Sequence, residues 1–306
     1  MATEVTVRTV LRNERFNASR ARQSMKRAID TFHEVERACT RFDPDSPLMR
    51  ANQSPNRYHQ VPTLLYLALE EAFLAHERTQ GAFDPRVIKD LVALGYDRSL
   101  AFTSGGVTTT NVATSRDRRG RGGWRPRFRD GTHEVRLTSP VDLGGIGKGL
   151  AVRWACRQLA PLTPNFLVEA GGDCYCSGVS SDGGAWRVGV EDPSGGLEPL
   201  AVLSLRDRAV TTSSIRLRRW RSGDDDVHHL IDPRTGRSGG NGLAAVTVVG
   251  DDPATAEVDC KFLFLAGREG IAARALRFGI AALWVDSSGV VTSTDEIRPH
   301  LVWQRS

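Results

Sequence analysis

The amino-acid sequence predicts an α+β fold in which mixed β-sheets pack against helices. Two features indicate this class: helical and strand patterns alternate along the chain, and several strand patterns follow one another without a helix between them, as at residues 186–191 and 200–205. A doubly wound parallel sheet would require a helix between successive strands. The 306 residues are 40% hydrophobic and 25% charged, which is ordinary for a globular protein. Because no long linker interrupts the patterns, we expect one domain over residues 1–306.

The first half of the chain is predicted to be mainly helical. Residues 3–10 alternate around valines and predict a first strand. Residues 18–39 and 61–78 repeat apolar side chains at helical spacing and predict two helices. The segment 40–52 between them is rich in turn-forming residues, and residues 81–97 predict a loop that leads into a short helix.

The second half is predicted to hold most of the strands. Residues 165–177 are predicted as one buried strand that ends in a Gly-Gly-Asp turn, and the Ser/Thr-rich segment 209–214 is interpreted as a strand end. The other predicted strands lie near 134–137 and at 186–191, 200–205, 244–249 and 281–285, and a terminal segment covers 291–302. The predicted helices are 150–160, 253–266 and 271–278.

Charge is concentrated in an arginine-rich segment. Residues 116–129 hold seven arginines among aromatic and glycine residues, whereas the whole chain has a net charge of +5. Such a mixture is typical either of a nucleic-acid-binding segment or of a surface loop. Because no RNA-binding signature lies beside it, we favour a mobile insertion at about 104–131 and expect no nucleic-acid partner.

The sequence also predicts where the protein works. No run of 18 apolar residues is present, and the N-terminus lacks the pattern of a signal peptide, so we expect no membrane insertion and a cytoplasmic location.

The five cysteines have no zinc-binding spacing and are predicted to be reduced, structural thiols. On a strand, Cys174 and Cys176 would face the same side.

A glycine-rich stretch is the strongest candidate for a binding site. Residues 141–152 read V-D-L-G-G-I-G-K-G-L-A-V and precede a predicted helix. Backbone N–H groups at such a helix start bind anions, and Lys148 adds a positive charge. The spacing matches neither a Walker loop nor a dinucleotide fingerprint. A phosphate site and a simple strand-to-helix turn are therefore both open from this stretch alone.

Other polar segments fit a phosphorylated ligand when they are taken together. Gly171, Gly172 and Asp173 form one turn, and a Thr/Ser run occupies 211–214. His229 and Asp232 flank a further strand end. Singly, each is typical of a turn or a strand end. Together they offer amides and hydroxyls for phosphate oxygens and a histidine for proton transfer.

The chain resembles the ApbE family of FAD:protein FMN transferases. Six short motifs carry the resemblance in the family's order: S-P-L-M-R-A-N at 46–52, G-A-F-D-P at 81–85, D-L-G-G-I-G-K-G-L-A at 142–151, A-G-G-D at 170–173, T-S-S at 212–214 and H-L-I-D-P-R-T-G at 229–236. The resemblance implies an α+β, T-fold-like domain that encloses FAD. It also implies transfer of the FMN half of FAD to a Thr or Ser hydroxyl of an acceptor flavoprotein, with release of AMP and usually with Mg²⁺.

The resemblance implies a set of site residues. Flavin neighbours would be Phe42, Asn52, Ala82, Phe83 and Asp84. The remaining FAD contacts would be Asp142, Gly145, Lys148, Gly171, Gly172, Asp173, Thr212, Ser213, His229 and Asp232. Catalytic roles fall to His229, Lys148 and Lys261, and the carbonyl of Gly145 would face the metal together with Glu257.

The chain departs from the family at the metal. Where the family has A-D-A-L-A-T-A-L-F-V-L-G, this chain has A-E-V-D-C-K-F-L-F-L-A-G at 256–267, so Glu257 replaces an Asp and Lys261 replaces a Thr. An ammonium is not a ligand for Mg²⁺, which prefers oxygen donors. Lys261 would take the place of the metal, or form a surface ion pair with Glu257, or leave the ligand role to Asp259. We favour the first interpretation and regard Mg²⁺ as doubtful.

The same departure keeps an alternative function open. The chain could be an FAD-binding member of the family that lacks transferase activity, acts on a small molecule or hydrolyses FAD.

Overall fold

The computed structural model describes residues 3–11, 18–100, 102, 107–109 and 122–305, and it has the predicted α+β fold. In this part of the chain the α-helices are α1 Ala18–Cys39, α2 Pro47–Gln53, α3 Thr63–Arg78, α4 Ile88–Ala93, α5 Gly147–Leu159, α6 Pro253–Phe264 and α7 Gly267–Phe278. Short 3-10 helices cover Pro85–Val87, Asp130–Thr132 and Asp295–His300. None of the described helices is long and apolar enough to span a bilayer.

The strands are grouped around one large sheet. In chain order they are β1 Val5–Thr9, β2 His59–Gln60, β3 Thr108–Thr109, β4 Arg127–Arg129, β5 Glu134–Arg136, β6 Phe166–Ala170, β7 Asp173–Ser177, β8 Trp186–Val190, β9 Ala201–Leu205, β10 Arg208–Ser214, β11 Arg219–Ser222, β12 Asp225–His228, β13 Ile231–Asp232, β14 Arg237–Ser238, β15 Leu243–Gly250, β16 Ala281–Asp286, β17 Val291–Ser293 and β18 Leu301–Gln304. The large sheet has the order β1-β6-β7-β10-β15-β16-β17 and is antiparallel throughout. A parallel pair, β3 with β11, lies in a smaller sheet.

The large sheet is covered on both faces. Because successive side chains on a strand point to opposite faces, Val246 and Val248 on β15 pack against α6 and α7, whereas Leu283 and Val285 on β16 pack against β8 and β9. Helices α1, α3 and α5 cover the β1–β6 end of the first face. The centre of the molecule is therefore a helix–sheet–sheet sandwich, and α5 and α6 lie side by side on the sheet.

Three predicted segments differ from the observed structure. The segment 40–52, predicted to be rich in turns, contains helix α2, Pro47–Gln53. Residues 165–177 form a hairpin, β6 and β7, rather than one strand. Gly171 and Gly172 make its turn with φ values of +56° and +89°, which glycine adopts without strain. The segment predicted as a strand end at 209–214 belongs to β10, a central strand between β7 and β15.

The predicted arginine-rich insertion lies only partly within the described residues. Residues 104–106 and 110–121 are outside them. Beyond that gap, Trp124 is buried and its indole N–H donates to the carbonyl of Leu137 at 2.8 Å. Strand β4 then pairs with β5. The C-terminal part of the predicted insertion, residues 122–131, is therefore packed against the body of the protein.

Helices α5 and α6 approach each other most closely at Gly149. A Cβ atom at this position would lie 2.5 Å from the carbonyl oxygen of Pro253 and 2.7 Å from the Cα of Ala254. These are backbone atoms, which cannot rotate away. Glycine at 149 therefore allows the start of α5 to lie against the start of α6, and this contact brings Lys148 close to Glu257.

We expect Gly149→Ala to lower the free energy of unfolding by about 1–3 kcal/mol, because the methyl group would push the two helices apart. Gly147→Ala is the matched control: it lies two residues earlier in α5, and apart from its own helix backbone no atom of the described residues lies within 4 Å of an added Cβ. It should leave stability unchanged or raise it by up to about 1 kcal/mol. Urea unfolding followed by circular dichroism measures both. Equal losses in the two variants would contradict a specific contact at Gly149.

Candidate active site

Two lysines and two carboxylates meet where α5, α6 and β7 come together. Lys148, the second residue of α5, forms an ion pair with Asp173 at the start of β7, and its Nζ lies 3.3 Å from Oε1 of Glu257. Lys261, one turn after Glu257 on α6, places its Nζ 3.1 Å from the same oxygen. The second carboxylate oxygen of Glu257 accepts a hydrogen bond from the N–H of Gly149 at 2.8 Å. We call Lys148, Asp173, Glu257 and Lys261 the charge cluster.

The charge cluster is largely removed from solvent. The side chains of Asp173 and Glu257 are 1% exposed, and those of Lys148 and Lys261 are 15% and 14% exposed. Buried charges of this kind persist when opposite charges and hydrogen bonds compensate for lost hydration. The pair Glu257–Lys261 is thus not a solvated surface pair, which excludes the second of the three interpretations of Lys261.

The pKa values in the cluster follow from burial and mutual attraction. Burial raises the pKa of Glu257, but the charges of Lys148 and Lys261 outweigh it and bring this pKa to about 2. Burial raises the pKa of Asp173 to about 6, and the charge of Lys148 opposes this rise. Burial lowers the pKa of Lys148, but its two carboxylate partners raise it above the ordinary value. Glu257 and Lys148 are therefore charged at neutral pH.

Lys261 also contacts the glycine stretch. A Cβ atom on Gly145 would lie 3.5 Å from Cδ and 3.6 Å from Cε of Lys261, and 2.9 Å from Cε2 of Phe83. Gly145 therefore faces both the lysine stem and the buried ring of Phe83. Three of the predicted site residues from distant parts of the sequence meet at this point. Asp259, by contrast, forms an ion pair with Arg78 at 2.6 Å, so its carboxylate is engaged elsewhere.

The donor set of the charge cluster does not fit Mg²⁺. Both oxygens of Glu257 are already shared by two ammonium groups and an amide N–H. In the described part of the chain, no three His, Cys, Asp or Glu side chains are grouped so that they could hold a metal ion. Mg²⁺ requires oxygen donors in an octahedral arrangement. The predicted metal ligands Gly145 and Glu257 both lie beside Lys261, so their neighbour is an ammonium group of the chain itself.

The Gly171–Gly172 turn connects the cluster to strand β10. Asp173 pairs directly with Thr211, and the carbonyl of Gly172 accepts a hydrogen bond from the N–H of Thr212 at 3.0 Å. The hydroxyl of Thr212 shares a hydrogen bond with Thr247 at 2.9 Å. The hydroxyl of Thr211 lies 3.1 Å from the sulfur of Cys260. These hydroxyls therefore fix β10 against α6 and β15, and they hold Asp173 in place beneath Lys148.

His229 lies near the cluster with an unused ring nitrogen. Its Nδ1 is buried and has no hydrogen-bond partner among the described residues. Burial, together with the positive charges of Arg218 and Lys261, lowers the pKa of His229 well below its ordinary value. The ring is therefore neutral at pH 7. A neutral imidazole with a free nitrogen is able to accept a proton.

Neighbouring His228 has a structural role instead. Its Nδ1 accepts a hydrogen bond from the N–H of Leu230 at 3.3 Å, and its ring packs edge-on against Phe264. Burial lowers its pKa from 6.5 to about 4, and the charge of Arg219 adds to this effect. The hydrogen bond at Nδ1 requires the neutral ring.

This depressed pKa predicts a pH dependence of stability. Between pH 6.5 and 4 the unfolded state binds a proton at residue 228 that the folded state does not, so stability falls as the pH falls through this range. We expect the wild type to lose about 1–2 kcal/mol more than His228→Asn between pH 7 and pH 5. Asparagine keeps an acceptor near the position of Nδ1 but does not titrate. Urea unfolding at the two pH values measures the difference, and parallel losses would contradict a neutral His228.

Four predicted ligand contacts use their polar atoms within the protein. The side-chain amide of Asn52 donates to the carbonyl of Val141 and accepts from its N–H, both at 2.8 Å, and this fixes the start of the glycine stretch. Asp84 and Asp232 each accept a hydrogen bond from the backbone N–H two residues later. Each also forms an ion pair with the arginine at that position, Arg86 or Arg234. Asp142 accepts from the N–H of Gly144 and forms an ion pair with Arg41. Each of these side chains shapes a loop.

The remaining predicted contacts differ in exposure. The ring of Phe42 is 42% exposed and lies 5.5 Å from the ring of Tyr96, so it is open to a ligand. Ala82 packs partly against the α6–α7 core. Ser213 is buried on β10. An apolar hollow of about 290 Å³ lies beside Asn52, with Met49, Ile88 and Val92 in its wall.

Two residues that were not predicted to belong to the site, His76 and Arg41, hold its loops in position. The ring of His76 is buried; its Nδ1 donates to the carbonyl of Phe83 at 3.1 Å, and its Nε2 accepts from the N–H of Trp124 at 3.2 Å. Arg41 donates to the carbonyl of Tyr96 at 2.6 Å while it pairs with Asp142. No local sequence pattern marks either residue, because the contacts of His76 are to backbone atoms of loops and the contacts of Arg41 are 55 and more positions away.

Known proteins resemble this chain over most of its length. The FAD:protein FMN transferase of Treponema pallidum is 26% identical over 316 residues, which covers 94% of this chain and 86% of that protein. The FAD:protein FMN transferase of Chlamydia trachomatis is 28% identical over 249 residues, which covers 77% of this chain and 73% of that protein.

Solved structures match the fold as well. The crystal structure of the ApbE protein from Thermotoga maritima superimposes with a TM-score of 0.81 at 25% identity, covering 98% of this chain and 96% of that one. The flavin transferase ApbE from Vibrio cholerae superimposes with a TM-score of 0.78 at 23% identity, with the same coverage, and this likeness shows the fold alone.

The family model described as "ApbE family" matches residues 1–284. This match confirms the resemblance that the six sequence motifs predicted. The chain belongs to the ApbE family.

Proposed function

We propose that this protein transfers the FMN half of FAD to a Thr or Ser hydroxyl of an acceptor flavoprotein and releases AMP. The charge cluster at the start of α5 is the observation that carries the proposal. Two buried ammonium groups and a helix N-terminus converge there, and such a combination is suited to a pyrophosphate. The names of the relatives, FAD:protein FMN transferase, support the same reaction.

The two ends of FAD would be held by different parts of the site. The pyrophosphate would lie beside Lys148 and Lys261. The flavin ring would lie toward Phe42, whose ring is exposed, and toward the apolar hollow lined by Met49 and Ile88. A flat aromatic ring system suits apolar and aromatic walls. The loops that Asn52 and Asp84 brace would keep these walls in position.

The reaction exchanges one phosphorus–oxygen bond for another. The acceptor hydroxyl oxygen bonds to the phosphorus of the FMN half, and the bond to the bridging oxygen breaks. AMP leaves with that electron pair, and the hydroxyl proton goes to a base. We assign the base to Nδ1 of His229, which is neutral and unpartnered among the described residues. A bound pyrophosphate would offset the positive charges around His229 and raise its pKa toward a useful range.

The charges of Lys148 and Lys261 would act on the transferring group. Negative charge on the phosphoryl oxygens and on the departing AMP is stabilised by fixed positive charges nearby, and positioning supplies much of the remaining rate enhancement. Asp173 and Glu257 would hold the two ammonium groups in position before FAD arrives. This arrangement needs no rearrangement of charged groups during the reaction.

Incubation with FAD and candidate acceptors from the chain's genomic neighbourhood tests the proposal. Mass spectrometry of the acceptor should show one added FMN, and AMP should appear in equal amount. AMP together with free FMN would indicate FAD hydrolysis instead. Bound FAD without any AMP would indicate a binding protein. Either of these two results with every acceptor would overturn the proposed transferase.

The use of metal belongs to the same proposal. We infer further that Mg²⁺ has no ligand set among the described residues of the charge cluster.

A further inference from the structure

We propose that the FAD site works without a divalent metal and that the ammonium group of Lys261 is its built-in cation. This inference rests on the proposed function and deepens it. The Nζ atom of Lys261 lies 3.1 Å from Oε1 of Glu257, and the stem of the same side chain lies against Gly145, the other predicted metal ligand. The position that a metal would need is therefore filled by a charge that belongs to the chain.

The hydrogen bonds of Lys261 fix this charge in place. Its Nζ lies 3.1 Å from Oε1 of Glu257 and 3.3 Å from the backbone carbonyl of the same residue. Both acceptors lie one helical turn earlier on α6, so the helix itself sets the position of the ammonium group. Its stem lies against Gly145, which has no side chain to displace it. One of the three ammonium hydrogens remains for a phosphate oxygen.

The charges around Glu257 oppose a metal. Lys148 and Lys261 lie 3.3 Å and 3.1 Å from the same carboxylate oxygen. A divalent cation bound to that oxygen would be close to two positive charges in a buried site, where repulsion is strong. The second oxygen of Glu257 is held by the N–H of Gly149. No unshared oxygen of Glu257 is left.

The choice of lysine is itself informative. Only four of the 41 basic residues are lysine, namely Lys26, Lys89, Lys148 and Lys261, and two of these four lie in the charge cluster. Outside the charge cluster, 37 of the 39 Lys and Arg residues are arginine. Lysine carries a compact point charge, whereas the guanidinium of arginine is a wide plane with fixed donor directions. A compact cation suits the position beside Gly145 and Glu257, where the ammonium group of Lys261 lies.

The charge balance points to the ligand as well. Lys148 and Lys261 balance Asp173 and Glu257, so the cluster alone carries no excess charge. Arg218 adds a positive charge that acts on both Lys148 and His229. The backbone N–H groups at the start of α5 add partial positive charge. The site therefore presents a net positive field to the pyrophosphate without any added ion.

Equilibrium binding of FAD, followed by quenching of flavin fluorescence, tests the inference independently of turnover. The wild type should bind FAD with the same affinity in excess EDTA and in excess MgCl₂. Calorimetric titration of the FAD-free protein with MgCl₂ alone should show no binding. A loss of FAD affinity in EDTA that MgCl₂ restores would overturn the inference. This comparison uses only the wild-type protein and does not depend on whether a variant folds.

Variants at 261 test the role of the ammonium group. Lys261→Met keeps the length of the side chain and should weaken FAD binding by about 10- to 100-fold, the worth of a charged hydrogen bond. Lys26→Met is the matched control, because Lys26 is 75% exposed on α1, and it should leave FAD affinity unchanged. An unchanged FAD affinity in Lys261→Met would contradict a role of this ammonium group in FAD binding. Circular dichroism on each variant establishes that it is folded.

A double substitution tests the exchange of lysine for metal directly. Glu257→Asp together with Lys261→Thr removes the ammonium group and supplies two oxygen donors one turn apart, as Mg²⁺ prefers. FAD binding by this variant should depend on MgCl₂ where the wild type does not. Metal-independent affinity equal to that of the wild type would contradict the inference. The AMP measurement stays separate: FAD binding without metal and without AMP would contradict the transferase while supporting the built-in cation.

Discussion

The free energy of unfolding should fall by about 3–5 kcal/mol in Glu257→Ala, because the substitution leaves two buried ammonium groups with one carboxylate. Glu257 is 1% exposed and is bound by Lys148, Lys261 and the N–H of Gly149. Its pKa of about 2 means that the charge is present throughout the neutral range. The loss should therefore be the same at pH 7 and pH 8, both above the pKa of about 6 of Asp173, and guanidinium unfolding at the two pH values measures it.

Two further variants separate charge from packing. Glu257→Gln keeps the size and one acceptor for Gly149, so it should cost less than Glu257→Ala. Glu269→Ala, on the exposed face of α7, is the matched control and should change stability by no more than about 0.5 kcal/mol. If Glu257→Ala also stays within that limit, the carboxylate does not hold the two lysines in the folded protein.

Glu257 and Lys261 form an ion pair, so we expect that the stability losses caused by substituting each of them do not add. Removing both leaves Lys148 paired with Asp173, a balanced pair. The double variant Glu257→Ala/Lys261→Ala should therefore be more stable than Glu257→Ala alone. The interaction energy expected for residues in one network is about 0.5–3 kcal/mol. Additive losses would mean that the two side chains do not share one electrostatic network.

Local patterns were sufficient to predict much of the fold. The apolar spacing of residues 18–39 predicted α1 with the observed limits, and the alternation at 186–191 predicted β8 to within one residue. The turn at Gly171 and Gly172 was predicted, but the hairpin of β6 and β7 was missed, because the apolar pattern resumes directly after the turn and was assigned to one strand. The central position of β10 was missed because its polar residues are typical of an exposed strand end. Their hydroxyls are in fact bonded to Cys260 and Thr247.

The sequence predicted which residues belong to the site better than it predicted the contacts that they make. The motifs named Lys148, Asp173, Glu257 and Lys261, and the structure brings all four together. The motifs could not tell ligand contacts from bracing residues. Asn52 pairs with the backbone of Val141, 89 positions later, and no spacing rule reveals such a pair. The buried ring of His76 was invisible for the same reason, because its partners are backbone atoms of two separate loops.

FMN transfer should fall by about 10²–10³-fold in Lys148→Met, the loss typical when one fixed charge or donor for a developing anion is removed. Lys148 lies at the start of α5, directly after the glycine-rich turn, where its charge adds to that of the helix N-terminus. Its pKa is raised by Asp173 and Glu257, so the charge is present at all neutral pH values. The rate of AMP release with FAD and acceptor measures the effect, and FAD affinity measured alongside separates binding from catalysis.

The control for this prediction lies on the same helix. Arg157→Met removes a positive charge from the exposed last turn of α5 and should leave transfer near the wild-type rate. Lys148→Arg keeps the charge but spreads it over a plane that does not fit between Asp173 and Glu257, so it should restore only part of the rate. Because Lys148→Met also leaves Asp173 without its partner, its unfolding must be measured at the assay temperature. A folded Lys148→Met protein that transfers FMN within about threefold of wild type would place the phosphate-binding charge elsewhere, and the charge cluster would then be a structural element alone.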